Sequence, residues 1–197
     1  MNILVIGSGG RELGRRLAEE LGIAYYDREI IAEIAKRTEL SEQYVQQIVE
    51  HRPLNLMPIT IGHSICPVPH PLMEQNQEIY RQQAQILTEM SQKSDCVLVG
   101  RCADYILAGR DNTINVFVYA PREVRVNRIM ARHNLSEAEA LKAISTSDKE
   151  RGNHYFRYTD QKWGKAQNYD VCINSGLMGI EKTAEMLADM AKIEVRA

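Results

Sequence analysis

The chain has 197 residues, of which 44% are hydrophobic and 25% charged, a length and balance that support one well-buried domain carrying a small mobile subdomain. A formal net charge of −2 argues against a partner such as nucleic acid or an anionic membrane, although clustered arginines can still bind a small anion. No apolar run approaches the length of a membrane span, and Met1-Asn2 leads straight into strand-like residues, so neither a span nor a secretory leader is expected.

The first element is a strand, Ile3 to Ile6, which breaks into Gly7-Ser8-Gly9-Gly10. A helix follows at once, its Leu13, Leu17 and Leu21 recurring every four residues as one buried face requires. Ile30, Ile31, Ile34 and Ala35 form a second such face. The stretch 52–73 holds five of the six prolines and reads as a long loop, of the kind that serves as a lid or binding loop. His63 and His70 lie in it without companions at ligand spacing, so no metal site is expected.

Three apolar runs then read as buried parallel strands: "CVLVG" at 96–100, "INVFVYA" at 114–120 and "YDVCIN" at 169–174. Pro121 stands where a first helical turn begins, and Ser136 with Glu139 spells a capping box. A last helix is predicted over 179–192. Strands alternating with helices give a parallel α/β sheet covered on both faces. The four cysteines (Cys66, Cys96, Cys102, Cys172) form no C-x-x-C pair and read as buried, reduced thiols of a cytoplasmic protein.

Strand, glycine turn, helix is the arrangement that holds a phosphate at a helix N-terminus. The spelling is unusual. A dinucleotide fingerprint needs glycine at position 12, where Glu12 stands, although Asp27 lies near the distance expected for its acidic residue. Against a P-loop, Arg11 takes the lysine position and Glu12 the hydroxyl position that touches Mg²⁺, while the first glycine falls on Val5. Backbone N–H groups of Gly9, Gly10 and Arg11 still suit an anion nest.

Arginines gather downstream. Gly100-Arg101 follows a strand at its carboxyl end, where α/β sheets bind ligands, and an arginine there can fork onto phosphate. Arg122, Arg125, Arg128 and Arg132 stripe one face of a helix. Asp148, Arg151, Tyr155 and Tyr158 share a face of the next, which suits a clamp for a base and a phosphate. Two arginine-bearing helices over 121–165 have the composition of a lid that spreads charge on a transferring phosphoryl group.

Together, "GSGGRELGRRLAEELGIAYYDREII", "VLVGRCADYIL", "VFVYAPREVRVNRIMAR", "SDKERGNHYFRYT" and "NYDVCINSGLMGIEKTAEML" resemble the bacterial cytidylate kinase-like proteins, which are P-loop nucleoside monophosphate kinases. The resemblance runs over nearly the whole chain in order, outside the proline-rich loop. It implies a single kinase-like domain over 1–197 with a P-loop-type parallel sheet and a helical lid, using ATP and Mg²⁺ on small nucleotide substrates, most simply CMP. By position it places Gly7, Ser8, Gly9, Gly10, Arg11 and Glu12 on nucleotide phosphate, and Arg11, Arg128, Arg132 and Arg151 in catalysis. It places Asp27, Arg101, Asp104, Asp148 and Arg151 at the acceptor, with Asp148 and Arg151 reading the base edge and holding a phosphate. The segment before the glycines is shorter than the family pattern. A protein that kept the fold and binds nucleotide without transferring phosphate is therefore the alternative expectation.

Overall fold

The computed structural model describes residues 1–51 and 71–193. His63, Cys66, His70 and the rest of the expected loop up to residue 70 lie outside the described residues. Pro71 already opens a helix, at the first-turn position that proline suits.

Five parallel strands form one sheet: β1 (Asn2–Gly7), β2 (Ala24–Tyr26), β3 (Cys96–Val99), β4 (Thr113–Tyr119) and β5 (Val171–Asn174), in the order β2-β3-β1-β4-β5. The chain steps from β1 out to β2 on one side, and after β3 it crosses to β4 on the other. The winding therefore reverses at β1, and the crevice at the carboxyl ends there is where sheets of this kind bind ligands. Register sets the neighbours in that crevice, since Val5 pairs with Val99 and Gly7 with Val118.

The helices are α1 (Gly10–Leu21), α2 (Arg28–Thr38), α3 (Glu42–Gln46), α4 (Pro71–Lys93), α5 (Ala103–Ile106), α6 (Arg122–His133), α7 (Glu137–Thr159) and α8 (Ser175–Lys192). A single π-helical turn, Gln47–His51, follows α3. Alternation along β1 serves two cores. Ile3 and Val5 pack with Leu13 and Leu17 of α1 and with Ile180, Ala184 and Leu187 of α8. Leu4 and Ile6 pack on the opposite face with Ile30, Ile31 and Ile34 of α2 and with Ile79, Ile86 and Leu87 of α4. Burial on both faces explains why the strands read as unbroken apolar runs. Among the described residues no helix is long and apolar enough to cross a membrane.

Helices α6 and α7 form a hairpin. Asn134, left-handed at φ 52°, ends α6, and the capping box opens α7: Ser136 Oγ accepts from the Glu139 N–H while Glu139 Oε2 accepts from the Ser136 N–H. The last helix starts earlier than predicted, at Ser175, but Gly179 (φ 83°, ψ 171°) kinks it at the expected place. One expectation is corrected. Cys96 and Cys102 are buried, but Cys172 is exposed, because β5 is an edge strand and alternation turns Cys172 outward while Ile173 faces the core.

Candidate active site

Gly7 ends β1 at φ 112°, and a Cβ there would stand 2.1 Å from the carbonyl oxygen of Val118. That close approach brings the turn down onto β4, where the Ser8 N–H donates to the same carbonyl at 2.8 Å. Gly9 (φ 85°) is the N-cap of α1 and supplies no side chain to cap it. The first N–H groups of α1 are thus left for an external acceptor, as at an anion-binding helix start.

After β3 the chain takes three left-handed residues in succession, Gly100, Arg101 and Cys102, at φ 68°, 58° and 53°. Non-glycine residues pay about 1–2 kcal/mol each for this conformation. Gln83, itself buried, holds the turn by donating to the Arg101 carbonyl at 2.8 Å. The turn drives the Arg101 side chain inward until only 4% of it is exposed. There Arg101 Nη2 donates to the Asp27 carbonyl (2.9 Å), to Asp27 Oδ1 (3.2 Å) and to Glu50 Oε1 (3.4 Å), while Nε and Nη1 are buried without a partner.

Arg11 belongs to the same cluster. Its Nε lies 2.9 Å from Asp27 Oδ2 and its Nη2 2.6 Å from Glu50 Oε1. The sequence placed Arg11 on donor phosphates; in the structure its guanidinium is held on the Asp27 side of the cleft. Burial pushes the Glu50 carboxyl up, but Gln46 and the charges of Arg11 and Arg101 outweigh it and hold Glu50 below the usual carboxylate range. Glu50 has no motif of its own; its place in the site comes from the π-helical turn and from partners far away in sequence.

The α6–α7 hairpin forms the facing wall. The nearest contact to the glycine turn is Arg128, whose Nη1 would lie 2.3 Å from a Cβ on Gly9 and is buried without a partner. Arg132 Nη2 bridges to Glu12 Oε2 at 2.7 Å, linking α6 to the first turn of α1. Arg151 also lines the cleft, whereas Arg122 does not. Asp148 was expected at the acceptor. It is instead forked by Arg125 at 2.7 Å through both oxygens, tying α7 to α6, and it is not among the cleft-lining residues. Tyr158, expected on the same clamp, stacks on Tyr80 of α4 with centroids 4.2 Å apart.

Beside Arg101, the buried Asp104 carboxyl accepts from the Tyr155 hydroxyl at 2.7 Å through Oδ2. Burial raises the Asp104 pKa, an effect that Tyr155 partly offsets. His154, which the sequence reading passed over, also faces the cleft. Both of its ring nitrogens are buried without a partner, and burial, helped by Arg157 and Arg101, lowers its pKa to about 4.

These groups line one cleft of about 850 Å³ at the carboxyl ends of β1 and β3. Gly7 to Glu12, Asp27, Arg101, Asp104, Arg128, Arg132 and Arg151, all expected in the site, meet there. Its carboxylates Asp27, Glu50 and Glu12 are ion-paired, while Arg101 and Arg128 carry buried guanidinium nitrogens with nothing to donate to. A buried donor without an acceptor costs about 1–3 kcal/mol, so an anion with several oxygens is the ligand that this cleft favours.

Known proteins bear on the same residues. The family model described as the cytidylate kinase-like family matches residues 5–177. The chain is 23% identical to the cytidylate kinase of Methanopyrus kandleri over 92% of this chain and 86% of that protein. It is 24% identical to the cytidylate kinase of Pyrococcus horikoshii over 90% and 83%. A shorter stretch of 93 residues is 29% identical to the uronate isomerase of Corynebacterium glutamicum, of whose length the chain spans 18%. Among solved structures, an uncharacterized protein from Eubacterium ventriosum superposes with a TM-score of 0.72 at 25% identity, covering 98% of this chain and 99% of that one. A shikimate kinase from Bacteroides thetaiotaomicron shares the fold, with a TM-score of 0.54 at 13% identity and coverage of 98% and 99%.

Proposed function

The chain belongs to the cytidylate kinase-like family, and on that footing we propose that it transfers the terminal phosphoryl group of ATP to a nucleoside monophosphate, CMP first among them. The observation that carries the reading is Arg101: a guanidinium almost fully buried at the carboxyl end of β3, with Nε and Nη1 unpartnered. A phosphate oxygen can accept from such an unpartnered guanidinium N–H in a charge-assisted hydrogen bond. Asp27 touches both Arg101 and Arg11 and so holds two cations at one place for the acceptor phosphate.

On this reading the donor phosphates lie against the first turn of α1, under Arg128. An acceptor phosphate oxygen attacks the terminal phosphorus in line, and ADP leaves with the bridging oxygen, so no covalent enzyme intermediate is needed. Arg128, Arg132 and Arg151 face the region between the two nucleotides, where charge spreads over the transferring oxygens. As a lid, the α6–α7 hairpin excludes water from that transfer. The Arg125–Asp148 fork ties the two helices of that lid together.

Family membership implies Mg²⁺, and the cleft carboxylate at the phosphate-facing helix start, Glu12, would have to exchange its bond to Arg132 to reach it. Glu12 brings a hard carboxylate oxygen to the cleft at the first turn of α1, the ligand type that Mg²⁺ takes beside phosphate oxygens. Bound there, the ion would neutralise phosphate charge.

The test is ADP release from ATP and Mg²⁺ with CMP, dCMP, UMP or AMP as acceptor. Acceptor-dependent turnover, fastest with CMP, is the expected result. Folded protein that binds CMP and turns over none of the four would leave a nucleotide-binding protein without transferase activity.

A further inference from the structure

Two polar side chains in the cleft carry atoms for which a phosphate has no use. Asp104 is an oxygen acceptor: Oδ2 already takes the Tyr155 hydroxyl at 2.7 Å, and Oδ1 is buried with no donor. His154, one residue before Tyr155 on α7, has two buried ring nitrogens without partners. A neutral imidazole presents one N–H donor and one bare nitrogen. Asp104 lies three residues after Arg101, at the start of α5, so a ligand anchored by phosphate on Arg101 extends past it toward α7.

We infer that Asp104 and His154 read the ring of the acceptor nucleotide and select an amino-bearing base over its oxo counterpart. Asp104 Oδ1 accepts from the exocyclic amino group, and the His154 N–H donates to the adjacent ring nitrogen. The inference rests on the acceptor reading above and assigns its base subsite. Asp148, the acid that the family resemblance put in this role, is spent on Arg125 and does not line the cleft. The selectivity follows from donor count. Cytosine offers an N–H where uracil offers a carbonyl oxygen, and a carbonyl facing Asp104 Oδ1 leaves two acceptors opposed with nothing between them. The Tyr155 hydroxyl bond fixes which Asp104 oxygen is presented. Burial, helped by the charges of Arg157 and Arg101, keeps the His154 ring neutral, so one nitrogen remains an acceptor and the other a donor.

The experiment compares CMP with UMP on wild type, D104N, H154F and H154Q. It reads the kcat/KM ratio and, independently of turnover, the Kd from fluorescence of Trp163, the single tryptophan and a residue of the cleft wall. Wild type should prefer CMP by at least about tenfold, and D104N should bring the two within about twofold, since an amide can present either face. H154F should weaken CMP about tenfold with the KM for ATP unchanged, and H154Q, which keeps a donor and an acceptor, should recover much of that loss. If D104N does not fold, D104S, which removes the carboxylate acceptor, carries the same ratio test, and Y155F, which keeps that acceptor, should retain the CMP preference. A CMP preference that survives both D104N and H154F, or a wild type that prefers UMP, overturns the inference while leaving the kinase reading intact. A wild type that binds neither nucleotide overturns both.

Discussion

Replacing Arg101 with alanine separates a binding residue from a structural one. Breaking a buried ion pair ordinarily costs about 3–5 kcal/mol, because a charge is stranded. Here Arg11 remains 2.9 Å from Asp27 and 2.6 Å from Glu50, so neither carboxylate loses its last cation. The substitution also removes two buried donors that had no acceptor, each worth about 1–3 kcal/mol of relief. The two effects largely offset, and R101A should lose only about 1–2 kcal/mol of stability. Acceptor binding has no such compensation. Loss of the charge-assisted hydrogen bonding to a buried guanidinium costs about 2–3 kcal/mol, which at 1.4 kcal/mol per decade is about 30- to 150-fold. Urea denaturation and steady-state kinetics on the same preparation give both numbers. Acceptor KM should rise by that factor while the KM for ATP stays put, and R101K should fall between, keeping the charge without the fork. An acceptor KM within about twofold of wild type, or a stability loss above about 4 kcal/mol, would refute the reasoning.

Two glycines of the turn should fail differently. G7A drives a Cβ to 2.1 Å from a backbone carbonyl and should cost stability, read as a lowered urea midpoint. G9A meets the tip of Arg128 and, at ordinary contact distance, the Ile180 side chain, so beyond about 1–2 kcal/mol of left-handed backbone strain the fold should survive while the KM for ATP rises. Equal stability losses in the two would contradict that assignment. The buried His154 ring has a folded pKa of about 4 against an ordinary 6.5, so the unfolded chain takes up the proton first. Its contribution is whole above pH 6.5 and falls with pH, by about 2 kcal/mol at pH 5, and H154F should lose that slope between pH 7 and 5. An unchanged slope would place the ring in water. D148N should loosen the α6–α7 hairpin, lowering kcat and raising ATP hydrolysis without acceptor, because the fork joining the helices is halved. Identical coupling of hydrolysis to acceptor would leave the fork with no part in closure.

Where one local signal decided the outcome, the sequence was readable. β1, β3 and β4 announce themselves as short branched runs because both their faces meet packed side chains. The edge strand β5 is readable from its Val171 and Ile173 although Cys172 faces out, and Ser136 with Glu139 marks the start of α7 before any tertiary contact is known. The glycine turn and Arg101 were legible because each sits at the carboxyl end of a strand. β2 was not, being three half-buried residues whose pairing with β3 is its whole definition. Glu50, the direction of Arg11 and the withdrawal of Asp148 depend on partners 16 to 51 residues away, which periodicity cannot report. His154 looked like one more polar residue on a helix of alternating charge. What distinguishes it is that the cleft closes over both its nitrogens.

The central claim is direct transfer between two nucleotides, and the measurement that tests it most directly follows the phosphorus itself. With ATP labelled at the terminal phosphate, Mg²⁺ and CMP, the account predicts label in CDP at the rate ADP appears, and loss of that product when Arg128 or Arg101 is replaced by alanine. Label appearing only in inorganic phosphate, or CDP formed undiminished by both variants, would contradict it.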